Sequence, residues 1–225
     1  MIAVISDIHG NYPALRAVIE DIRRYEVSSI ISLGDIAGYY CFINECIDLC
    51  RENRIINILG NHDEYLVSKT GCPRSYSANV CLQYQLSVIS NENYLWLKES
   101  IPFYDDEEYS FRHGGWKDPL DEYLYDFSFD CVEGLKQHIF ASGHTHKQML
   151  IETTGKTYFN PGSVGQPRDY DSRAAFALIN DDGTVELKRC EYPIEETIYC
   201  MRMHGFEDRI SDCLRYGAKI GETQR

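Results

Sequence analysis

Residues 1–22 read MIAVISDIHGNYPALRAVIEDI, residues 30–38 read IISLGDIAG, and residues 55–63 read IINILGNHD. Each stretch opens on a short apolar run and passes into a polar cluster. The clusters are Asp7-Ile8-His9-Gly10-Asn11, then Gly34-Asp35, then Gly60-Asn61-His62-Asp63. The apolar runs predict strands over Ile2–Ile5, Ser29–Leu33 and Arg54–Leu59. Between them, Leu15, Val18, Ile19 and Ile22 recur at helical spacing and predict a helix over Asn11–Tyr25, with a second over Phe42–Glu52. Continuous apolar strands separated by helices mark βαβ units around a buried sheet. In such sheets ligands bind beyond the carboxyl ends of the strands. Three polar clusters in three equivalent places therefore point at one site.

Outward from this core the pattern changes. Thr70–Glu99 is helical in spacing. Pro102–Tyr104 and Tyr109–His113 predict short strands, and Asp118–Asp130 predicts an acidic, aromatic loop. Ile139–Ser142 predicts a strand running into Gly143-His144-Thr145-His146. Further strands are expected at Gln148–Glu152, Lys156–Phe159, Ala174–Asn180 and Thr184–Cys190, and a helical tail at Ile194–Tyr216. No linker and no longer repeat interrupts the chain. One α/β domain over residues 1–225 is expected, built as a two-sheet sandwich flanked by helices.

Composition narrows the function classes. With 44% hydrophobic and 25% charged residues over 225 positions, the chain can bury a core without disulfides and is neither disordered nor a coiled coil. Thirty-five acidic residues against 22 basic ones give −13, and no dense Lys/Arg run is present. Bulk binding to nucleic acid or an anionic membrane is thereby disfavoured. No stretch approaches the roughly 18 apolar residues that cross a bilayer, and the first residues lack the features of a signal peptide. The nine cysteines include no C-x-x-C pair, which argues against a zinc ribbon. Their odd number without an export signal predicts free thiols and a cytoplasmic location. Cys41, Cys46 and Cys50 fall near one predicted helix and are expected to pack there.

Five of the seven histidines (His9, His62, His113, His144, His146) sit in polar loops at predicted strand ends, beside Asp7, Asp35 and Asn61. Imidazole, carboxylate and amide donors suit divalent Mn, Fe, Zn or Ni, not Ca, which takes oxygen alone. Eight such groups exceed the needs of one four-coordinate ion and divide over two. Asp35, on the middle of three strands, is placed to bridge both. On extended backbone alternate side chains share a face, so Asp7 with His9 is expected to chelate from one side, and His144 and His146, which share that spacing, are each expected to meet a different ion. His138 and His204 lie elsewhere and are read as surface groups.

Asp7-x-His9, Gly34-Asp35, Gly60-Asn61-His62-Asp63, His113-Gly114 and Gly143-His144-Thr145-His146 match, in order, the five blocks of the calcineurin-like metallophosphoesterases. The turn Asn160-Pro161-Gly162-Ser163 resembles that of their small prokaryotic phosphodiesterase-like branch. The resemblance implies a four-layer αββα sandwich of two mixed sheets. It implies that Asp7, His9, Asp35 and His146 hold one metal and that Asp35, Asn61, His113 and His144 hold a second. His62 matches the position that binds no metal and acts on the substrate.

The chemistry expected of such a site is hydrolysis of a small phosphate ester, with a diester as the expected substrate. A water between two cations loses a proton near neutral pH and attacks phosphorus, while the cations offset charge on the equatorial oxygens. His62, with an ordinary pKa of about 6.5, is suited to protonate the leaving alkoxide. The same blocks occur in protein Ser/Thr phosphatases and dinucleoside polyphosphate hydrolases, and non-catalytic scaffolds share the fold. The filled ligand positions and His62 favour catalysis.

Four features around the blocks carry paired readings. Asp63 either orients His62 or, as adjacent side chains often do, diverges from it. Arg168 either clamps a substrate oxygen or forms a surface salt bridge. The Asn160–Ser163 turn either needs Gly162 at positive φ or turns its N–H groups to a phosphate. In the segment Asp105–Asp130, Tyr123, Tyr125, Phe127 and Phe129 either rim the site, where they can stack a base, or tuck into the core.

Overall fold

Strand β1 (Ile2–Ile5) lies at the centre of a five-stranded sheet in this computed structural model, which describes residues 1–222. It pairs in parallel with β2 (Ser29–Ser32), and β2 in turn with β3 (Ile56–Asn57). On its other side β9 (Ala174–Ile179) runs antiparallel, followed by β10 (Val185–Cys190), giving the order β10-β9-β1-β2-β3. A second five-stranded sheet contains β4 (Tyr104–Asp105), β5 (Tyr109–Arg112), β6 (Ile139–Ser142), β7 (Gln148–Thr153) and β8 (Lys156–Pro161) in the order β4-β5-β6-β8-β7. Its three middle strands are parallel and its edges antiparallel.

The strand period of two explains how the sheets stack. Val4 turns into the space between them, where it meets Ile31, Leu33, Phe111, Ala141 and Phe159. Ala3 and Ile5 turn the other way, toward Leu15, Val18 and Ile19 of α1 (Tyr12–Ile22). Burying each large aliphatic side chain here contributes about 1.5–3 kcal/mol. Helices α2 (Ile43–Glu52) and α6 (Ile194–Met203) pack beside α1 on this outer face. The outer face of the second sheet, Phe140 and Tyr158, is covered by Trp116, Leu124, Phe127, Phe129 and Val132. This is the expected sandwich of two mixed sheets, its helices gathered mainly on one side. Among the described residues no helix is long and apolar enough to cross a membrane.

Several boundaries differ from expectation, each for a local reason. The strand expected over Arg54–Leu59 pairs only at Ile56–Asn57. Arg54 has φ +54, and at Ile58 pairing passes to Ile101. The helical region beyond the third cluster divides into α3 (Asn61–Ser68), α4 (Tyr76–Val88) and α5 (Asn91–Lys98). Ser90 makes the last division by accepting at 3.1 Å from the Asn93 N–H. The expected tail helix stops at Met203, where Gly205 takes φ +79, and resumes as α7 (Asp208–Asp212). Cys46 and Cys50 are buried in the helix–sheet core, as expected of packing thiols. Cys41 also approaches Cys200 of α6, with Sγ atoms 3.0 Å apart.

Candidate metal centre

The polar clusters that follow β1, β2, β5 and β6, together with the start of α3, converge at one end of the sandwich. Their backbone is unusual. Asp7, His9, Asp35, His144 and His146 all have φ between 53° and 64°. L-residues enter this left-handed region rarely, at a cost of about 1–3 kcal/mol each. The extended backbone expected at Asp7 and His9, and at His144 and His146, is therefore corrected, although Asp7 and His9 do meet in one donor group while His144 and His146 fall in different ones. The chain kinks at every one of these residues, and the kinks aim the side chains together. The first two loops hold each other by N–H donation from Asp7 to the Gly34 carbonyl at 2.9 Å, from His9 to that of Asp35 at 2.9 Å, and from Gly10 to that of Ile36 at 2.8 Å.

Each carboxylate has one oxygen fixed and one left over. The Asp7 Oδ2 accepts from the His144 N–H at 3.1 Å, across the seam between the sheets. The Asp35 Oδ1 accepts at 2.8 Å from the His62 N–H, one of the free amides at the start of α3. The remaining oxygens, Asp7 Oδ1 and Asp35 Oδ2, are buried without a hydrogen-bond partner. Both face imidazole nitrogens. Asp7 Oδ1 lies 3.3 Å from His146 Nε2 and 3.9 Å from His9 Nε2, and Asp35 Oδ2 lies 3.4 Å from His113 Nε2 and 3.8 Å from His9 Nε2.

The imidazoles are oriented by main-chain carbonyls. Nδ1 of His9 faces the Ala37 carbonyl at 2.8 Å, that of His113 the Leu33 carbonyl at 2.8 Å, and that of His146 the Gln166 carbonyl at 2.7 Å. An N–H donated there leaves the Nε2 lone pair directed into the cluster, the usual support of a metal-bound histidine. His144 is reversed. Its Nδ1 lies 3.1 Å from His113 Nε2, and its own Nε2 has no hydrogen-bond partner and stands 3.5 Å from Asp121 Oδ1. The Asn61 Oδ1 stands 3.0 Å from His113 Nε2. Three groups of donors are close enough to share an ion: Asp7–His9–His146, Asp35–His113–His144 and His9–Asp35–His62.

Burial governs the protonation of these groups. It holds the His9 and His146 imidazoliums well below their ordinary range and pushes His144 to about 2, with His113 adding to the effect. Burial, reinforced by Asp35, raises the Asp7 carboxyl to about 7. Burial also opposes ionisation of Asp35, yet the surrounding imidazoles, His113 foremost, hold it well below the carboxylate range. His113 is the counterpart: burial disfavours its charge, but the Asp35 carboxylate lifts it to about 9. The neutral imidazoles of His9, His144 and His146, together with His113 and the unsatisfied carboxylate oxygens, form a donor set that a divalent cation would complete, displacing the His113 proton. The residues present fit such ions.

The other candidates fall into place unevenly. His62 is buried near the cluster, with its Nδ1 unpartnered, and burial pushes it to about 4. Asp63 does not orient His62. Its carboxylate turns away and accepts from the main-chain N–H groups of Asp35, Ala37 and Gly60 at 2.9, 2.8 and 3.2 Å, so it fixes the loop that carries Asp35. Arg168 makes no ion pair among the described residues. It donates from Nε and Nη2 to the Gln166 Oε1 and lies 5.6 Å over the Tyr39 ring.

The Asn160–Ser163 turn has Gly162 at φ +77. Rather than meeting a phosphate, its Gly162 N–H donates to Asn160 Oδ1, and the Ser163 hydroxyl donates to the Asp7 carbonyl. The aromatic segment divides. Phe127 stacks on Tyr158 in the core, while Tyr123 and Tyr125 are 41% and 42% exposed. His138 and His204 are exposed, as expected of surface groups.

The Tyr123 ring, one of the residues read as either rim or core, packs 3.9 Å from His144. Other contributors gave no such signal: the Tyr39 ring packs 4.8 Å from His9 and 5.0 Å from His62. Two glycines owe their place to close approach. A Cβ at Gly60 would fall 2.1 Å from Asp35 Oδ1, and one at Gly38 would fall 2.2 Å from His9 Nδ1. The spacing Gly34-Asp35-x-x-Gly38 was a usable clue to the second.

Fold and site together define a metal-binding phosphoesterase scaffold. Residues 1–182 match the model of the calcineurin-like phosphoesterase superfamily domain, and the chain belongs to that superfamily. It is 36% identical over 220 residues to the uncharacterized protein MJ0912 of Methanocaldococcus jannaschii, covering 87% of this chain and 89% of that one. Among solved structures, a metallophosphoesterase from Sphaerobacter thermophilus is 29% identical with a TM-score of 0.84, over 96% of this chain and 99% of that one. The hypothetical protein PH1004 of Pyrococcus horikoshii OT3 shares the fold with a TM-score of 0.86 at 20% identity, over 97% and 100% of the two chains.

Proposed function

We propose that this protein hydrolyses small phosphate esters, with phosphodiesters as its principal substrates, and that it uses two divalent cations to do so. Asp7, His9, Asp35 and His146 would hold one ion, and Asp35, Asn61, His113 and His144 the other. The observation that carries this reading is the pair of buried, unpartnered oxygens on Asp7 and Asp35, each aimed at imidazole nitrogens while its partner oxygen is pinned by a main-chain N–H. When bound, such cations supply Lewis acidity toward the phosphoryl oxygens and the attacking water. The preference for diesters rests on the Asn160–Ser163 turn of the phosphodiesterase-like branch.

The chain's own groups supply the rest. His62 holds the proton for the leaving oxygen. Burial keeps this imidazole mostly neutral at pH 7, and the negative charge of a bound phosphate draws its pKa back up. The carbonyls of Ala37, Leu33 and Gln166 and the amides of His62 and His144 fix the donors before any substrate arrives. Little reorganisation is then needed in the transition state. Arg168 faces the same space through Tyr39 and is positioned to take a substrate oxygen.

The test is turnover of bis(p-nitrophenyl) phosphate and p-nitrophenyl phosphate with Mn²⁺, Ni²⁺, Zn²⁺ or Mg²⁺, and after EDTA. Hydrolysis that needs added cation and favours the diester is expected. Inertness toward every ester with every ion overturns the reading in favour of a scaffold.

A further inference from the structure

A groove of about 560 Å³ opens beside the cluster, within the range of small-ligand sites. Tyr39, Tyr123, Tyr125, Arg168, Arg209 and Lys219 line it, and no carboxylate side chain is among its described lining residues. In a chain of net charge −13, where acidic residues outnumber basic ones 35 to 22, such a lining runs against the overall balance; a groove beside Arg23 and Arg54 shares it but does not adjoin the cluster. Another groove of about 600 Å³, beside His138 and Lys156, is lined by Glu108, Asp181 and Asp182 as well.

The order of groups along the cationic groove is informative. It shares two walls with the cluster, since Tyr39 packs on His9 and His62 and Tyr123 packs on His144. Arg168 stands at this inner end, over Tyr39. Tyr125 continues outward, parallel to Tyr123 within 12° at a centroid distance of 5.6 Å. Lys219 follows, its ammonium 5.9 Å from the Tyr125 ring. Among the described residues Lys219 has no carboxylate partner, whereas Arg209 is paired with Glu207. The sequence of chemistry is thus cation, exposed aromatic pair, cation.

We propose that this groove selects phosphate esters whose alcohol carries a planar ring and, beyond it, a second anionic group. The proposal rests on the phosphoesterase reading above. The scissile phosphate lies by the cluster and Arg168, the ring lies on the Tyr123–Tyr125 pair, and the second anion meets Lys219 and Arg209. Stacking on exposed aromatic rings tolerates many planar groups, whereas an ammonium and a guanidinium reward added negative charge. The aromatic pair therefore sets the ring requirement and the outer cations set the charge requirement.

Calorimetric titration of the full chain with Mn²⁺ present, comparing 4-carboxyphenyl phosphate, whose carboxylate lies beyond the ring, with phenyl phosphate, tests this directly. The carboxylated ester is expected to bind about tenfold tighter, the worth of one or two charge-assisted contacts. In the double variant Arg209→Gln/Lys219→Gln, checked for an unchanged thermal midpoint, the two ligands are expected to come within about twofold of each other. Tyr125→Leu is expected to weaken both by about five- to tenfold. Equal affinities in the wild type, or a preference that survives the double variant, overturn the proposal. Turnover of bis(p-nitrophenyl) phosphate is followed in parallel. Turnover without the binding preference sinks the groove and leaves the enzyme, while the preference without turnover sinks the enzyme and leaves the groove.

Discussion

The two sheets bring different chemistry to one place. Loops of the first sheet supply both carboxylates, Asp7 and Asp35, each pinned through one oxygen by a main-chain N–H. Loops of the second sheet supply His113, His144 and His146, two of them oriented by main-chain carbonyls. Neither half is a complete site. The seam is specific, because the amide that pins Asp7 belongs to His144 and the carbonyl that orients His113 belongs to Leu33. Closing the sandwich and assembling the donors are therefore the same event, and only the first sheet carries a group that both proposed ions share.

The largest effect is expected where that sharing is broken. Asp35→Ala should lower turnover of bis(p-nitrophenyl) phosphate by on the order of 10⁴-fold, with bound manganese below one ion per chain. His113→Ala, on the second sheet, should leave about one ion bound. Identical metal contents in the two variants, measured by plasma mass spectrometry, would erase the distinction between the sheets.

His62 comes next. His62→Ala should lower kcat by about 10²–10⁴-fold and leave metal content near that of the wild type. A parallel loss of metal would instead place His62 in the ligand set with His9 and Asp35, a geometry the donors allow.

Stability gives a third contrast. Folding holds His62 at about 4, below its ordinary 6.5. Its neutral, buried form therefore contributes stability that is complete above pH 6.5 and is lost as pH falls toward 4. Each tenfold difference in proton affinity between the folded and unfolded chain is worth about 1.4 kcal/mol. EDTA-treated wild type should accordingly lose roughly a few kcal/mol relative to His62→Gln between pH 7 and 4. Urea unfolding at the two pH values measures this, and parallel losses in both proteins would contradict it.

The smallest effect is expected behind the ligands. Asp63→Asn keeps the size of the side chain but weakens the acceptor of three main-chain N–H groups in the loop of Asp35. A loss of about 10- to 100-fold in metal affinity is expected, as for other groups that support ligands from behind. Competition with a fluorescent chelator reads it, and unchanged affinity would show that Asp63 serves the fold alone.

Much of this was legible in the sequence because it is local. The strand-end position of Asp7, Asp35 and His144 follows from apolar runs ending in polar clusters, and two sheets follow from the number and order of the runs. What the sequence hid is tertiary. The left-handed kinks at Asp7 and His9 arise from packing of two loops, not from local propensity, so the extended-backbone expectation failed there. Asp63 looked like a partner for its neighbour His62, but helical geometry sends adjacent side chains apart. Tyr39 reaches the site from a loop whose sequence resembles any surface segment, and among the aromatic residues of 123–129 the sequence left open which would rim the site, as Tyr123 does beside His144, and which would enter the core, as Phe127 does on Tyr158.

The most direct test is a crystal soaked in Mn²⁺ and measured at a wavelength where manganese scatters anomalously. Two peaks roughly 3.5–4 Å apart, both in contact with the Asp35 carboxylate, are the expected result. A single peak, or a pair that leaves Asp35 outside, would contradict the account.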